Sequence, residues 1–153
     1  MFAHTTVLIL WASGVGVTAF ALWKGEFPEK AGASLNMICA LAAELAHMVL
    51  VQEDASLALL VIDLALAIGF LGLAVRYASV WLGVAMLMQA VQFSLHAWYL
   101  VAERPHDLLY YRINNLDTIA ISLSLVVGTA VSWRRRSVAE AAERAATAAR
   151  SPA

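Results

Sequence analysis

The stretch from Ser56 to Val101 restricts the possible folds more than any other part of this chain. It is almost continuously apolar, and its charged residues are Asp63 and Arg76. One membrane-crossing helix needs about 20 apolar residues, so this run is long enough for two crossings. We therefore expect a turn near 76–78 that joins two transmembrane helices over about 56–75 and 79–101.

Three further apolar segments, at about 5–23, 32–51 and 115–133, complete the pattern. Hydrophobic residues make up 62% of the chain and charged residues 14%, whereas soluble domains are roughly half apolar and a quarter charged. No Lys or Arg precedes the first apolar segment, which distinguishes it from a signal peptide. The expected fold class is an all-α integral membrane protein, with a bundle of five transmembrane helices over 1–136 and a tail over 137–153.

The basic residues predict the orientation of this bundle. Five crossings bring most of the basic positions near short loops to one side, namely Lys24, Lys30, Arg76 and Arg134, Arg135 and Arg136. Only Arg104 and Arg112 fall on the opposite side. Because cytoplasmic loops carry the excess of Lys and Arg, the C-terminus is expected in the cytoplasm and the N-terminus outside.

Polar side chains from three of the expected helices fall in the outer half of the membrane. This polar cluster consists of Glu44 and His47 on the second helix, Asp63 on the third, and Gln89, Gln92 and His96 on the fourth. A charged side chain at the bilayer centre costs about 2.5–3.5 kcal/mol even on the lenient insertion scale, so the cluster must face the bundle interior. Asp117 is expected at the outer entrance of the fifth helix.

Four interpretations of the polar cluster remain open. Its members could simply hydrogen-bond to one another as packing contacts. His47 and His96 could be the axial ligands of a b-type haem. Glu44, His47, Asp63 and His96 could bind a metal ion, although Glu-x-x-His occurs once here and di-iron bundles use it twice. Finally, a buried carboxylate beside a histidine could form a proton or quinone site.

Other function classes lack their sequence signals. No serine lies in a Gly-x-Ser-x-Gly setting and no phosphate-binding glycine loop is present, so no catalytic residue is expected. The lone Cys39 excludes a disulfide within the chain and a c-type haem attachment motif. The triple arginine is interpreted as a stop-transfer signal rather than as a nucleic-acid contact.

The first four segments carry a recognisable set of short motifs. These are the turn Trp23-Lys24-Gly25 followed by Pro28-Glu29, then Asp63 in VIDLALA, Tyr77, Trp81, and Gln89 seven residues before His96. The set resembles a family of small bacterial inner-membrane proteins with no known activity. The resemblance does not extend to Glu44 and His47. It implies a multi-pass protein of the bacterial inner membrane.

The function that the sequence favours is that of a small accessory or scaffold protein, which packs in the bilayer with itself or with a larger membrane complex. Its expected contacts are Tyr110 and Tyr111 in the outer loop, together with the small-residue face of the first helix. This function requires no cofactor. The alternative is a redox or proton-handling membrane subunit that holds a b-type haem or a quinone at the polar cluster.

Overall fold

The protein is a bundle of five α-helices in a computed structural model, which describes the backbone of residues 2–150 and the side chains of residues 8–51 and 54–150. The helices are α1 (Phe2–Lys24), α2 (Phe27–Val49), α3 (Gln52–Tyr77), α4 (Val80–Val101) and α5 (Leu108–Arg150). No strand occurs within residues 2–150. The predicted all-α class is confirmed. Residues 151–153 of the expected tail lie outside the described part.

The helices form a ring. Each helix packs against the next one along the chain, α1 returns against α5, and α2 also contacts α5 across the ring. Four helices, α2 to α5, are long and apolar enough to cross a membrane, while the described apolar part of α1, Leu8–Lys24, is shorter. Short connections make successive helices antiparallel. One end of the bundle therefore carries residues 102–107, and we call it the loop end.

The turn between α1 and α2 is shorter than the polar sequence over 24–30 suggests. Only Gly25 and Glu26 separate the two helices. Pro28 lies in the first turn of α2, where its missing N–H has no helical partner to lose. The backbone N–H of Glu26 donates to Glu29 Oε2 at 2.9 Å, which stabilises the start of the helix.

α5 begins earlier than the hydropathy predicts and ends later. Residues 108–114, expected as loop, form its first two turns. Asp107 explains this start, because its Oδ1 accepts hydrogen bonds from the backbone N–H of Tyr110 at 2.9 Å and from the hydroxyl of Tyr99 at 2.7 Å. Beyond the triple arginine the helix continues without a break, and side chains 137–150 are exposed all round.

The end opposite the loop end has a close-packed apolar core. Phe70, Leu82 and Leu125 are fully buried there. A Cβ on Gly32 would lie 3.3 Å from the Trp81 ring and 3.5 Å from Leu125, so the backbone of α2 approaches α4 and α5 closely at this level. The interior is therefore filled at this end of the ring.

Polar contacts join the helices at the same end. Ser132 of α5 donates to Oε1 of the buried Glu29 in α2 at 2.8 Å. Arg136 donates to the backbone carbonyl of Lys24 and lies 3.3 Å from Glu26 Oε1. These contacts join α1, α2 and α5 at the end opposite the loop end.

Candidate functional site

Asp63 of α3 and His96 of α4 form the centre of the candidate site. An oxygen of the Asp63 carboxylate, Oδ2, is in direct contact with Nδ1 of the His96 ring. Only 6% of Asp63 and 7% of His96 is exposed. The contact places the imidazole proton on Nδ1, facing the carboxylate, and leaves Nε2 as the nitrogen that is free to bind or exchange a proton.

Gln89 completes this centre from a position two turns before His96 in α4. Its amide nitrogen donates to Asp63 Oδ1 at 3.2 Å, so both carboxylate oxygens of Asp63 have a partner. Gln89 is fully buried. Three of the six side chains predicted to cluster are thus in direct contact, and together they hold the His96 ring in one orientation.

The other three predicted side chains line a cavity beside this centre. The cavity has a volume of about 320 Å³ and is bordered by residues of all five helices, among them Glu44, His47 and Gln92. Gln92 donates to Asn114 Oδ1 of α5 at 3.2 Å, while Glu44 is half-buried and His47 is exposed. The cavity brings five of the six predicted side chains to one space, although within the described structure no hydrogen bond or ion pair joins Glu44 or His47 to Asp63 or His96.

The walls of this cavity combine apolar and polar groups. Leu10, Trp11 and Gly14 of α1 and Met37 and Ala40 of α2 provide apolar surface, and Thr118 and Ser122 of α5 provide hydroxyl groups. Ligand sites in proteins are mostly apolar with a few convergent polar groups, and their volumes run from about 300 to 1,000 Å³. The volume of about 320 Å³ lies at the small end of this range, and the cavity is more polar in its lining than most such sites.

A second cavity of about 770 Å³ approaches His96 from the loop end. Ser56 and Leu59 of α3, Tyr99 and Leu100 of α4, and 103–106 of the loop border it. Leu59, His96, His106 and Tyr110 border both cavities, so these side chains form the wall between them. His96 is therefore reached from two sides.

Aromatic rings make up most of this shared wall. His106 stacks on Tyr110 with ring centroids 3.9 Å apart and planes 2° from parallel, and the Tyr110 ring lies 5.5 Å from that of His96. Burial, together with the nearby His96 and His47, lowers the pKa of His106. A lowered pKa favours the neutral form of His106 at neutral pH.

The loop that carries His106 is fixed by Asp107. Hydrogen bonds from the Tyr110 backbone and the Tyr99 hydroxyl hold the pKa of Asp107 below its ordinary value. The ionised carboxylate ties the end of α4 to the start of α5. Neither His106 nor Asp107 was expected in the site, because a loop has no periodicity that assigns a residue to a face.

The predicted contact residues Tyr110 and Tyr111 have different surroundings. Tyr110 is buried, with 5% of its surface exposed, whereas Tyr111 is 53% exposed. Tyr110 thus belongs to the wall of the candidate site, and Tyr111 is the one of the two that faces outwards.

Asp117 of α5 is buried, whereas the sequence predicted it near the membrane surface. It was expected at the outer entrance of the fifth helix, yet only 4% of it is exposed, and no hydrogen bond reaches either carboxylate oxygen within the described structure. Its helical position on the buried face with Tyr110, Ile121 and Ser124 is the signal that could have located it.

The geometry of the polar cluster bears on two of the alternative interpretations, a metal site and a haem site. Among the described residues, no three His, Cys, Asp or Glu side chains are gathered closely enough to hold a metal ion. His47 and His96 border the same cavity, but its volume of about 320 Å³ suits a small ring better than a macrocycle.

No protein-family model, no characterised protein and no solved structure matches this chain.

Proposed function

We propose that this protein is a proton-handling membrane subunit whose cavity of about 320 Å³ beside Asp63 and His96 binds a quinone-type ring. The contact between Asp63 and His96 carries the proposal, since it leaves His96 Nε2 as the free nitrogen of a buried, oriented imidazole at the border of both cavities. A quinone carbonyl accepts a hydrogen bond, and His96 Nε2 can donate one when the imidazole is doubly protonated, with its Nδ1–H facing the Asp63 carboxylate and its Nε2–H facing the ring.

The surroundings of His96 support a flat, mostly apolar ligand. Trp11 and Tyr110 supply aromatic rings to the border of this cavity, and α1 and α2 supply apolar side chains. Polar groups from α2 to α5 also border the cavity, and hydrogen-bond donors among them can orient a ring that bears carbonyl groups. The alternative cofactor is a haem held by His47 and His96.

The proposed setting is the bacterial inner membrane, crossed five times with the N-terminus outside. The apolar lengths of α2 to α5 support the crossings. The basic residues Lys24, Lys30, Arg76 and Arg134–Arg136 lie toward the end opposite the loop end, which supports a cytoplasmic location for that end. The cavity would then open to the outer face.

Quenching of tryptophan fluorescence tests the proposed ligand, because Trp11 borders the cavity. The purified protein in detergent is titrated with a decyl-substituted benzoquinone, and saturable quenching is expected. His96→Leu should weaken the apparent affinity at least tenfold, since one buried hydrogen bond and the orientation of the ring are lost. Trp11→Phe should remove most of the signal.

The matched control is Ser94→Ala on the same helix, where the hydroxyl only donates to the Ala90 carbonyl and is exposed. It should titrate like the unaltered protein. Circular dichroism and size-exclusion chromatography establish that each variant is folded. Non-saturable quenching, or equal quenching in His96→Leu, would rule out the quinone site. A visible absorption spectrum of protein extracted without a refolding step tests for haem separately.

The accessory or scaffold function is the second candidate, and the exposed arm of α5 over 137–150 favours it. The side chains of this arm are all exposed, and α5 is much longer than the other four helices. Tyr111 and the small residues of α1 would be further contacts. Removal of 137–153 should abolish co-purification with a partner while the melting temperature of the bundle stays unchanged, and an unaltered set of co-purifying proteins would contradict this function.

A further inference from the structure

The side chain of Asp117 is a buried acid that the contacts described so far do not explain. It is a carboxyl group with 4% of its surface exposed, and both of its oxygens lack a hydrogen-bond donor in the described structure. An ionised carboxylate in such a position is strongly disfavoured, because it has lost its hydration and gained no partner. The group therefore needs a proton or a cation.

The pairing of α4 with α5 locates the nearest candidate partner. These helices are antiparallel, and three contacts set their register: Tyr99 with Asp107, His96 with the Tyr110 ring, and Gln92 with Asn114. Each contact lies one helical step deeper than the one before it. The next step pairs Gln89 with Asp117.

Gln89 presents the complementary atom. Its amide nitrogen faces two acceptors of α3, Asp63 Oδ1 at 3.2 Å and the Asp63 carbonyl oxygen at 3.5 Å. This choice of partners assigns nitrogen and oxygen of the amide, because the reverse orientation would direct Oε1 at two other oxygens. The amide oxygen Oε1 is buried and has no donor in the described structure.

We propose that Asp117 is protonated in the resting protein and donates its hydroxyl hydrogen to Gln89 Oε1. This bond satisfies the orphaned amide oxygen and removes the charge from the orphaned carboxyl group. It also completes a hydrogen-bonded chain through α5, α4 and α3 in the order Asp117, Gln89, Asp63, His96. Asp117 is then a second proton-carrying group of the site, a role that rests on the proposed function.

The charged groups around Asp117 are compatible with this arrangement. Asp63 and His96 are the groups close enough to interact with it electrostatically. From α2, Glu44 and His47 border the cavity further towards the loop end. Asp63 repels an ionised Asp117 while His96 is already paired with Asp63, so no free positive charge remains for Asp117.

Infrared spectroscopy tests the proposal without any ligand. The full-length protein in detergent, at neutral pH and free of sodium, should show one carboxylic-acid C=O band that shifts on exchange into D₂O. Asp117→Asn should remove this band. Asp54→Asn, which replaces an exposed acid at the start of α3, is the matched control and should leave it unchanged. Gln89→Leu should shift the band to the position of an acid without a hydrogen bond.

Two results would overturn the proposal. A spectrum of Asp117→Asn identical to that of the unaltered protein would mean that Asp117 is ionised. A band that disappears when sodium chloride is added would mean that the orphaned oxygens bind a cation instead. The infrared measurement uses no quinone, so it tests the protonation of Asp117 separately from the proposed function. If the protein failed to bind quinone, the proposed function would be refuted, but the infrared result would still decide the protonation of Asp117.

Discussion

Gly128 of α5 lies against the indole ring of Trp81 in α4, so closely that a Cβ at position 128 would meet three ring carbons at 2.6 Å. Real Cβ atoms do not approach this closely, and Trp81 is held in turn by the core around Gly32. The small residue at 128 is therefore a packing requirement. It allows the widest side chain of the core to lie flat between two helices.

Replacing Gly128 with alanine should destabilise the protein by about 1–3 kcal/mol, because the Trp81 ring must move within a filled core. Gly72→Ala is the matched control, since its Cβ would meet nothing within 4 Å. That change should be neutral or stabilising by up to about 1 kcal/mol through helix propensity alone. Thermal unfolding of both variants in the same detergent measures the difference, and equal melting temperatures would contradict this account of the core.

Ser132→Ala should destabilise the end opposite the loop end by about 1–3 kcal/mol. The change removes the donor to Glu29 Oε1 and leaves a buried carboxylate oxygen without a partner. Ser94→Ala removes an exposed hydroxyl that bonds only to its own helix, and it should be neutral. Chemical denaturation in mixed micelles compares the two, and a Ser132→Ala protein as stable as Ser94→Ala would mean that the hydroxyl contributes nothing.

Much of the fold follows from hydropathy, because apolar runs of membrane-spanning length leave little choice of element. The start of α5 does not follow in this way, since Arg112, Asn114 and Asn115 make the first turns read as loop. The signal present was Asp107, a favoured residue at the start of a helix. The length of an apolar run does not show whether a capping residue such as Asp107 begins the helix earlier.

The earlier start of α5 also explains which part of the site was predicted. Asp63, Gln89 and His96 lie on helices with correctly placed turns, so helical spacing could predict that they meet at one level of the bundle. A fifth segment that begins at 115 leaves Asp117 at the membrane entrance. With α5 beginning at Leu108, Asp117 lies about two and a half turns inside the helix and is buried.

Acid should loosen the connection between α4 and α5 through Asp107. The folded pKa of Asp107 lies below its unfolded value, so its contribution is present above the unfolded pKa of about 4 and is lost as the pH falls through the folded pKa. Asp107→Asn retains an N-cap oxygen without a titrating group, and it should flatten the stability profile at acidic pH. Melting temperatures between pH 3 and about 7 measure the effect, and parallel profiles for the two proteins would contradict it.

His106 should add a separate pH dependence at higher pH. Its folded pKa is lowered, so the unfolded chain binds the proton first and stability falls as the pH drops below about 6.5. His106→Phe keeps a ring to stack on Tyr110 and carries no proton. Its melting temperature should change less between pH 7 and about 5 than that of the unaltered protein, and an equal change would place the titration elsewhere.

The buried pair of Asp63 and His96 should behave as one energetic unit. Asp63→Asn and His96→Gln each leave the remaining partner buried with an altered hydrogen bond, so each single change is costly and the second adds little. A double-mutant cycle should give a coupling free energy of about 0.5–3 kcal/mol. Asp63→Asn combined with Ser132→Ala is the control cycle, since these residues lie in different parts of the bundle and should be additive within about 0.5 kcal/mol. Equal coupling in the two cycles would mean that the variants weaken the whole bundle rather than this pair. Strong coupling in the first cycle alone identifies the pair as the rigid support that keeps His96 oriented at the border of the two cavities.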